Sequence, residues 1–180
     1  KIKKYDFFLI KNFFCLKDIG NIYNVLSKYS NSAYTYKSGN VKTSVKYKIT
    51  DYGYVKHELK RLMDKVHETN NAHFGYDLYD TLDCQGFHLH EYLPDDSVGY
   101  DWHTDANSDH AKDIKLTVLL NLSDKKYKGG EIKIFGCDEI NFNEPGDILI
   151  FKSFMPHKVD KVIKGTRKTL TFWMQGPCFK

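Results

Sequence analysis

The chain has 180 residues, of which 41% are hydrophobic, 15% aromatic and 28% charged, enough apolar content for one packed domain and too much for a disordered tail. The 27 basic residues include only two arginines, Arg61 and Arg167, leaving 25 lysines, a bias that reads as codon composition rather than chemistry. Net charge is +4 and the charges are scattered, so nucleic-acid binding is permitted but nothing gathers the patch or stripe that would indicate it.

In chain order, Tyr5 to Phe14 reads as a strand that is apolar on both faces. From Leu16 to Tyr29, Ile19, Ile22, Val25, Leu26 and Tyr29 recur at helical spacing and predict an amphipathic helix. Ser30 to Gly53 is polar, rich in Ser, Tyr and Lys and without period, which predicts a long loop holding at most one strand. A second helix is expected from Val55 to Asn70, where Leu59, Leu62, Met63 and Val66 share a face.

From Cys84 onward the pattern changes to short alternating runs separated by turn signals. The runs are Gly86 to Leu93, Gly99 to His103, Ile114 to Leu122, Glu131 to Phe135, Glu139 to Phe142, Asp147 to Lys152, His157 to Val162 and Arg167 to Gln175. About eight strands after two helices predict an α+β chain whose core is a jelly roll. The expected organisation is a single domain over 1–180, with an N-terminal strand and helices in 1–75 and the β core in 76–180.

The four cysteines, Cys15, Cys84, Cys137 and Cys178, form no C-x-x-C pair, which leaves neither a zinc knuckle nor a redox dithiol. They read as reduced, core-compatible thiols of a cytoplasmic protein. The longest apolar stretch, Phe7 to Leu16, is interrupted by Lys11 and Asn12 and is shorter than the ~20 residues that span a bilayer, so no membrane role is expected. No cleavable signal is visible.

The chemistry gathers around Trp102-His103-Thr104-Asp105. In an extended backbone, residues two apart point to the same side, so His103 and Asp105 can offer an imidazole nitrogen and a carboxylate oxygen to one metal. An H-x-D tripeptide arises easily by chance. His157, opening another strand after Phe154-Met155-Pro156, adds a second imidazole, and two histidines with one carboxylate leave open positions on an iron for further ligands. Arg167 then begins a strand whose alternation puts Arg167, Thr169, Thr171 and Trp173 on one side and Lys168, Leu170, Phe172 and Met174 on the other. A guanidinium, two hydroxyls and an indole describe a polar, aromatic-walled pocket, and the arginine fork suits a carboxylate.

These residues resemble the Fe(II)- and 2-oxoglutarate-dependent oxygenases, and among them the prolyl-hydroxylase type (prolyl 4-hydroxylase-like). The resemblance runs from Gln85 to Gly176 and is carried by Glu91-Tyr92, Gly99-Tyr100-Asp101-Trp102-His103-Thr104-Asp105, Lys115-Leu116-Thr117-Val118-Leu119-Leu120-Asn121-Leu122, Gly129-Gly130-Glu131, Pro145-Gly146-Asp147, Pro156-His157-Lys158-Val159 and Gly165-Thr166-Arg167, in that order. It implies a double-stranded β-helix, iron held by His103, Asp105 and His157, and 2-oxoglutarate and O2 as cosubstrates, with ascorbate an admissible reductant. It further implies that Arg167 grips the far carboxylate of 2-oxoglutarate with Thr169 and Tyr92, that Trp173 packs beside the metal and that Thr171 lies near the iron. Asn121 is placed in the cosubstrate pocket as well but departs from the pattern, since several prolyl hydroxylases carry a second pocket tyrosine there.

The implied substrate is a prolyl residue in a peptide or protein, with the loop from Asn107 to Asp113 and the segment from Tyr34 to Tyr54 (Tyr34, Tyr36, Tyr47, Tyr52, Tyr54) as candidate clamps. His88 and His90 fall on the same side as Tyr92 and read as polar lining; a rival ligand set built on His88-x-His90 lacks partners. His57, His67, His73 and His110 read as surface residues. The alternatives are an oxygenase of the same chemistry acting on a nucleobase, and a noncatalytic jelly-roll binding module.

Overall fold

A computed structural model describes residues 6–31, 34–35 (backbone only), 45–94, 99–106 and 113–178. Strand β1 (Phe7–Ile10) is followed by helix α1 (Leu16–Tyr29), strands β2 (Tyr34–Thr35) and β3 (Lys46–Asp51), and helix α2 (Lys56–Thr69). Then come β4 (Gly86–Tyr92), β5 (Tyr100–His103), β6 (Ile114–Asn121), β7 (Lys128–Gly129), β8 (Ile132–Ile134), β9 (Ile148–Lys152), β10 (His157–Val159), β11 (Val162–Lys164) and β12 (Arg167–Gln175). Seven strands form one sheet in the order β1-β9-β6-β12-β4-β3-β2, three form a second in the order β5-β10-β8, and β11 pairs β7. The two larger sheets face each other as a jelly roll, and the helices cover the outer face of the seven-stranded one.

Alternation along the strands divides the interior into two layers. Leu89, Leu116, Val118, Leu120, Ile150, Leu170, Phe172 and Met174 turn outward and pack with Ile19, Ile22 and Leu26 of α1 and Leu59, Leu62 and Val66 of α2. At the centre of that layer Phe87 stacks on Phe172 with ring centroids 4.3 Å apart, a pair worth about 0.5–1.5 kcal/mol beyond its buried area. Between the sheets, Leu119, Leu149 and Phe151 meet Ile132, Ile134, Ile140 and Phe142 and close one end of the roll. The other end remains hollow.

Helix α1 starts where local chemistry allows it. The carboxylate of Asp18 accepts the backbone N–H of Cys15 at 3.3 Å, satisfying a donor that the first turn of α1 cannot. The chain enters that turn from a corner where Asn12 takes φ +51° and donates its N–H to Asp147 Oδ1. Gly146, at φ +78°, lies so close to Phe14 that a Cβ would collide with the Phe14 carbonyl.

Several expectations change. Strand β1 covers Phe7–Ile10 and stops short of Phe14, the Ser30 to Gly53 region supplies β2 and β3, and Lys128–Gly129 adds β7, so that the described residues hold twelve strands. Glu139 to Phe142 is not a strand: Ile140 and Phe142 are buried and their neighbours exposed, but among the described residues no ladder partner lies beside them. His157 to Val162 divides into β10 and β11 because the chain leaves β8 and passes to β7. Cys15, Cys84 and Cys178 are exposed rather than core residues, and Cys137 is half-buried. No helix among the described residues is long and apolar enough to cross a membrane.

Candidate active site

The hollow end encloses a cavity of about 250 Å³ walled by β3, β4, β5, β6, β10 and β12. Ladder register explains its contents. β10 pairs β5 with His157 directly opposite His103, while the turn after β5 brings Asp105 beneath both, its N–H bonded to the carbonyl of Ser153 at 3.0 Å. Asp105 Oδ1 lies 3.7 Å from His103 Nε2 and Oδ2 3.7 Å from His157 Nε2. One ligand atom from each residue falls within 4.8 Å of the others, so these three could hold a metal ion.

The tautomers follow from the neighbours. His103 Nδ1 lies 2.7 Å from the Asp101 carbonyl and His157 Nδ1 3.0 Å from the Met155 carbonyl. A carbonyl only accepts, so each Nδ1 carries a proton and it is Nε2 of each ring that faces the common centre. Burial and the adjacent His157 push His103 below the usual imidazole range, which keeps it neutral as a ligand must be. Thr117, which sequence reading passed over, donates its hydroxyl to Asp105 Oδ2 at 2.6 Å. Its only sequence signal is alternation, which puts it on the same side of β6 as Leu119 and Asn121.

The opposite end of the cavity is cationic. Arg167 is 1% exposed, opposite Tyr92 in the β4–β12 ladder, with its guanidinium 4.9 Å from the Tyr92 ring centroid. Gly130 makes room for it, since a Cβ there would come within 2.9 Å of Arg167 Cδ. Burial pushes the Tyr92 hydroxyl up from its ordinary value, and Arg167 partly offsets this. Arg167 Nε and Nη2, Thr169 Oγ1 and Trp173 Nε1 are buried without a hydrogen-bond partner. Buried donors are almost always satisfied, so this group marks a place for a ligand that accepts hydrogen bonds. A dicarboxylate with one end on Arg167 and Thr169 fits that donor set.

Thr171, Trp173, His88 and His90 line the same cavity. His88 stacks on Tyr47 at 5.3 Å and meets the Trp173 ring edge-on at 4.8 Å, and Tyr100 lies against His103 at 4.1 Å. Asn121 does not line it: its Oδ1 accepts the N–H of Ser123 at 2.9 Å and its Nδ2 donates to the Tyr127 hydroxyl at 3.3 Å. Of the expected clamps, 107–112 and 36–44 lie outside the described residues, as does the side chain of Tyr34.

A jelly roll enclosing two histidines and a carboxylate at one end of a cavity, with a buried arginine at the other, defines the class of non-haem iron oxygenases with a 2-oxo acid cosubstrate. The family model described as the 2OG-Fe(II) oxygenase superfamily matches residues 87–175, and the chain belongs to that superfamily. It is similar in fold to a Pseudomonas putida prolyl-4-hydroxylase (18% identity, 96% of this chain and 94% of that one, TM-score 0.68). It is likewise similar to the viral collagen prolyl hydroxylase of Paramecium bursaria Chlorella virus-1 in complex with 2-oxoglutarate (16%, 98% and 99%, 0.64). A third similar structure is a Trichoplax adhaerens prolyl hydroxylase bound to a peptide fragment of the hypoxia inducible factor oxygen degradation domain (20%, 94% and 83%, 0.62). No curated relative matches the sequence.

Proposed function

We propose that the chain is one Fe(II)- and 2-oxoglutarate-dependent dioxygenase domain that hydroxylates a prolyl residue of a peptide or protein. The observation that carries this reading is the pairing, in one cavity, of the His103, Asp105 and His157 cluster with the unpartnered donors of Arg167 and Thr169. Iron with 2-oxoglutarate and O2 supplies oxidative decarboxylation coupled to C–H hydroxylation, yielding succinate and carbon dioxide.

The protein's part is to hold and to exclude. His103 and His157 present their Nε2 atoms to the common centre because two backbone carbonyls fix their Nδ1–H groups, and Thr117 orients the carboxylate of Asp105. Arg167, Thr169 and Tyr92 hold the far carboxylate, while Trp173 and Thr171 flank the metal end. The apolar plug of Leu119, Ile132 and Phe151 shuts water from the rear of the cavity. A prolyl substrate is favoured by the prolyl hydroxylases named above, and by the aromatic walls of Tyr47, Tyr100 and Trp173, which suit a saturated ring presented by an extended peptide.

Succinate formation with Fe(II), with or without proline-containing peptides, tests the reading. His103→Ala and Asp105→Ala are expected to abolish it; normal turnover in either overturns the oxygenase assignment. Peptides that turn over should gain the mass of one oxygen atom on proline. A protein that makes succinate yet modifies no such peptide keeps the cosubstrate and loses the prolyl substrate.

A further inference from the structure

Thr169, in the middle of the cavity floor, has one residue directly opposite it on each side: His90 across the β4 ladder and Asn121 across the β6 ladder. Both neighbours are polar, but only one is free to serve a ligand. Asn121 does not line the cavity, and its amide is turned to Ser123 and Tyr127. His90 lines the cavity, its Nδ1 lies 3.0 Å from Thr171 Oγ1, and its Nε2 has no hydrogen-bond partner among the described residues.

We infer that His90 donates a hydrogen bond from Nε2 to an oxygen of the bound 2-oxoglutarate, supplying on β4 the contact that Asn121 does not offer from β6. The inference rests on the proposed cosubstrate. The ring is held from several sides, by Tyr47 at 5.7 Å, His88 at 5.9 Å and Tyr92 at 6.3 Å, so it cannot turn freely away. A hydroxyl can either donate or accept; when Thr171 donates to Nδ1, the single proton of the neutral imidazole sits on Nε2. An anion near Arg167 selects that tautomer because only it presents a donor. Burial, with His88, Arg167 and His103 close by, pushes His90 down to about 3, which keeps the ring neutral. The unpartnered Thr169 Oγ1 and Arg167 nitrogens converge on the same space, so His90 completes a donor set already in place.

The test uses the geometry of side-chain amides. In His90→Asn the amide reaches the Nδ1 position and keeps the Thr171 contact while losing the cavity donor; in His90→Gln it reaches the Nε2 position. Anaerobic titration of 2-oxoglutarate into Fe(II)-loaded protein, followed by the visible charge-transfer absorption of the metal-bound 2-oxo acid, gives the cosubstrate Kd. Mn(II) affinity from electron paramagnetic resonance gives metal binding separately. His90→Asn should weaken 2-oxoglutarate about tenfold and His90→Gln by clearly less, with Mn(II) affinity unchanged in both.

Unchanged cosubstrate affinity in His90→Asn overturns the assignment, as does an equal loss in both variants, which would mark a packing effect. Arg167→Lys separates the levels: if it weakens binding and His90→Asn does not, only the His90 role falls. A parent protein that binds no 2-oxoglutarate with metal present overturns both readings. Should neither variant fold, the Zn(II)-loaded parent decides by nitrogen NMR. A slowly exchanging His90 Nε2–H appearing on addition of 2-oxoglutarate supports the contact, and none appearing overturns it.

Discussion

The two faces of β12 are equally hidden from water and chemically opposite. Leu170, Phe172 and Met174, at 0–1% exposure, meet the helices; Arg167, Thr169 and Thr171, at 1–6%, face the smaller sheet. Burial therefore does not separate core from site in this molecule. Polar satisfaction does: on the helix side the polar side chain of β12, Lys168, donates to Asp124 at 2.9 Å, whereas on the other side Arg167, Thr169 and Trp173 each leave a buried donor without a partner. The first face contributes stability, and the second forgoes hydrogen bonds that a ligand restores.

The largest expected effect separates the faces by stability. Phe172→Ala removes a ring stacked on Phe87 and leaves a cavity, and should cost about 3–5 kcal/mol in urea unfolding of the metal-free protein. Thr169→Ala, three residues earlier and on the opposite face, removes a hydroxyl that bonds to nothing and should cost less than ~1 kcal/mol while weakening 2-oxoglutarate. Comparable losses in both would break the division. Arg167→Lys follows: it keeps the charge but loses the fork, and should raise the 2-oxoglutarate Kd by about 10–100-fold in the same charge-transfer titration. Unchanged affinity would remove Arg167 from the grip.

Most of this contrast was legible in the sequence, because a period of two states which side chains share a face. It gave Arg167, Thr169, Thr171 and Trp173 one side of β12, and put His103 with Asp105. The helical period did as well for α1, whose bounds match expectation. Alternation is silent on ladder partners. Ile140 and Phe142 alternate like a strand yet plug the core without a ladder among the described residues, and Lys46–Asp51 lies in a stretch that reads as loop with room for one unplaced strand, although it is β3, pairing β4 along its whole length. It is silent too on what a polar side chain touches. Asn121 was placed in the pocket, but its amide is engaged by Ser123 and Tyr127; Thr117, an ordinary strand residue by type, proves to hold Asp105.

Thr117 gives the next prediction. Thr117→Val keeps the shape of the strand and removes the donor to Asp105 Oδ2, so the carboxylate is no longer oriented and Mn(II) or Fe(II) affinity should fall about tenfold. The same change on the opposite face, Val118→Thr, should leave metal affinity alone and lower stability instead, because it buries a hydroxyl among Leu116, Leu120 and Phe172. A metal affinity that follows Val118→Thr and ignores Thr117→Val would reverse the roles of the two faces.

The last effect is a slope with pH, set near neutrality by the histidines of the site face. Burial pushes His88 down to about 4 and His90 to about 3, from an ordinary value near 6.5. Between those values the unfolded chain binds protons that the folded chain refuses, so stability is fully present above pH ~6.5 and is lost as pH falls toward 4. The midpoint of urea unfolding should accordingly drop between pH 7 and pH 5. His88→Gln, which cannot titrate, should reduce the drop, whereas Phe172→Leu should lower the midpoint at both pH values and leave the difference intact. A difference untouched by His88→Gln would mean that the acid sensitivity arises away from the cavity, and the polar face would then be a ligand site without being the seat of the molecule's pH dependence.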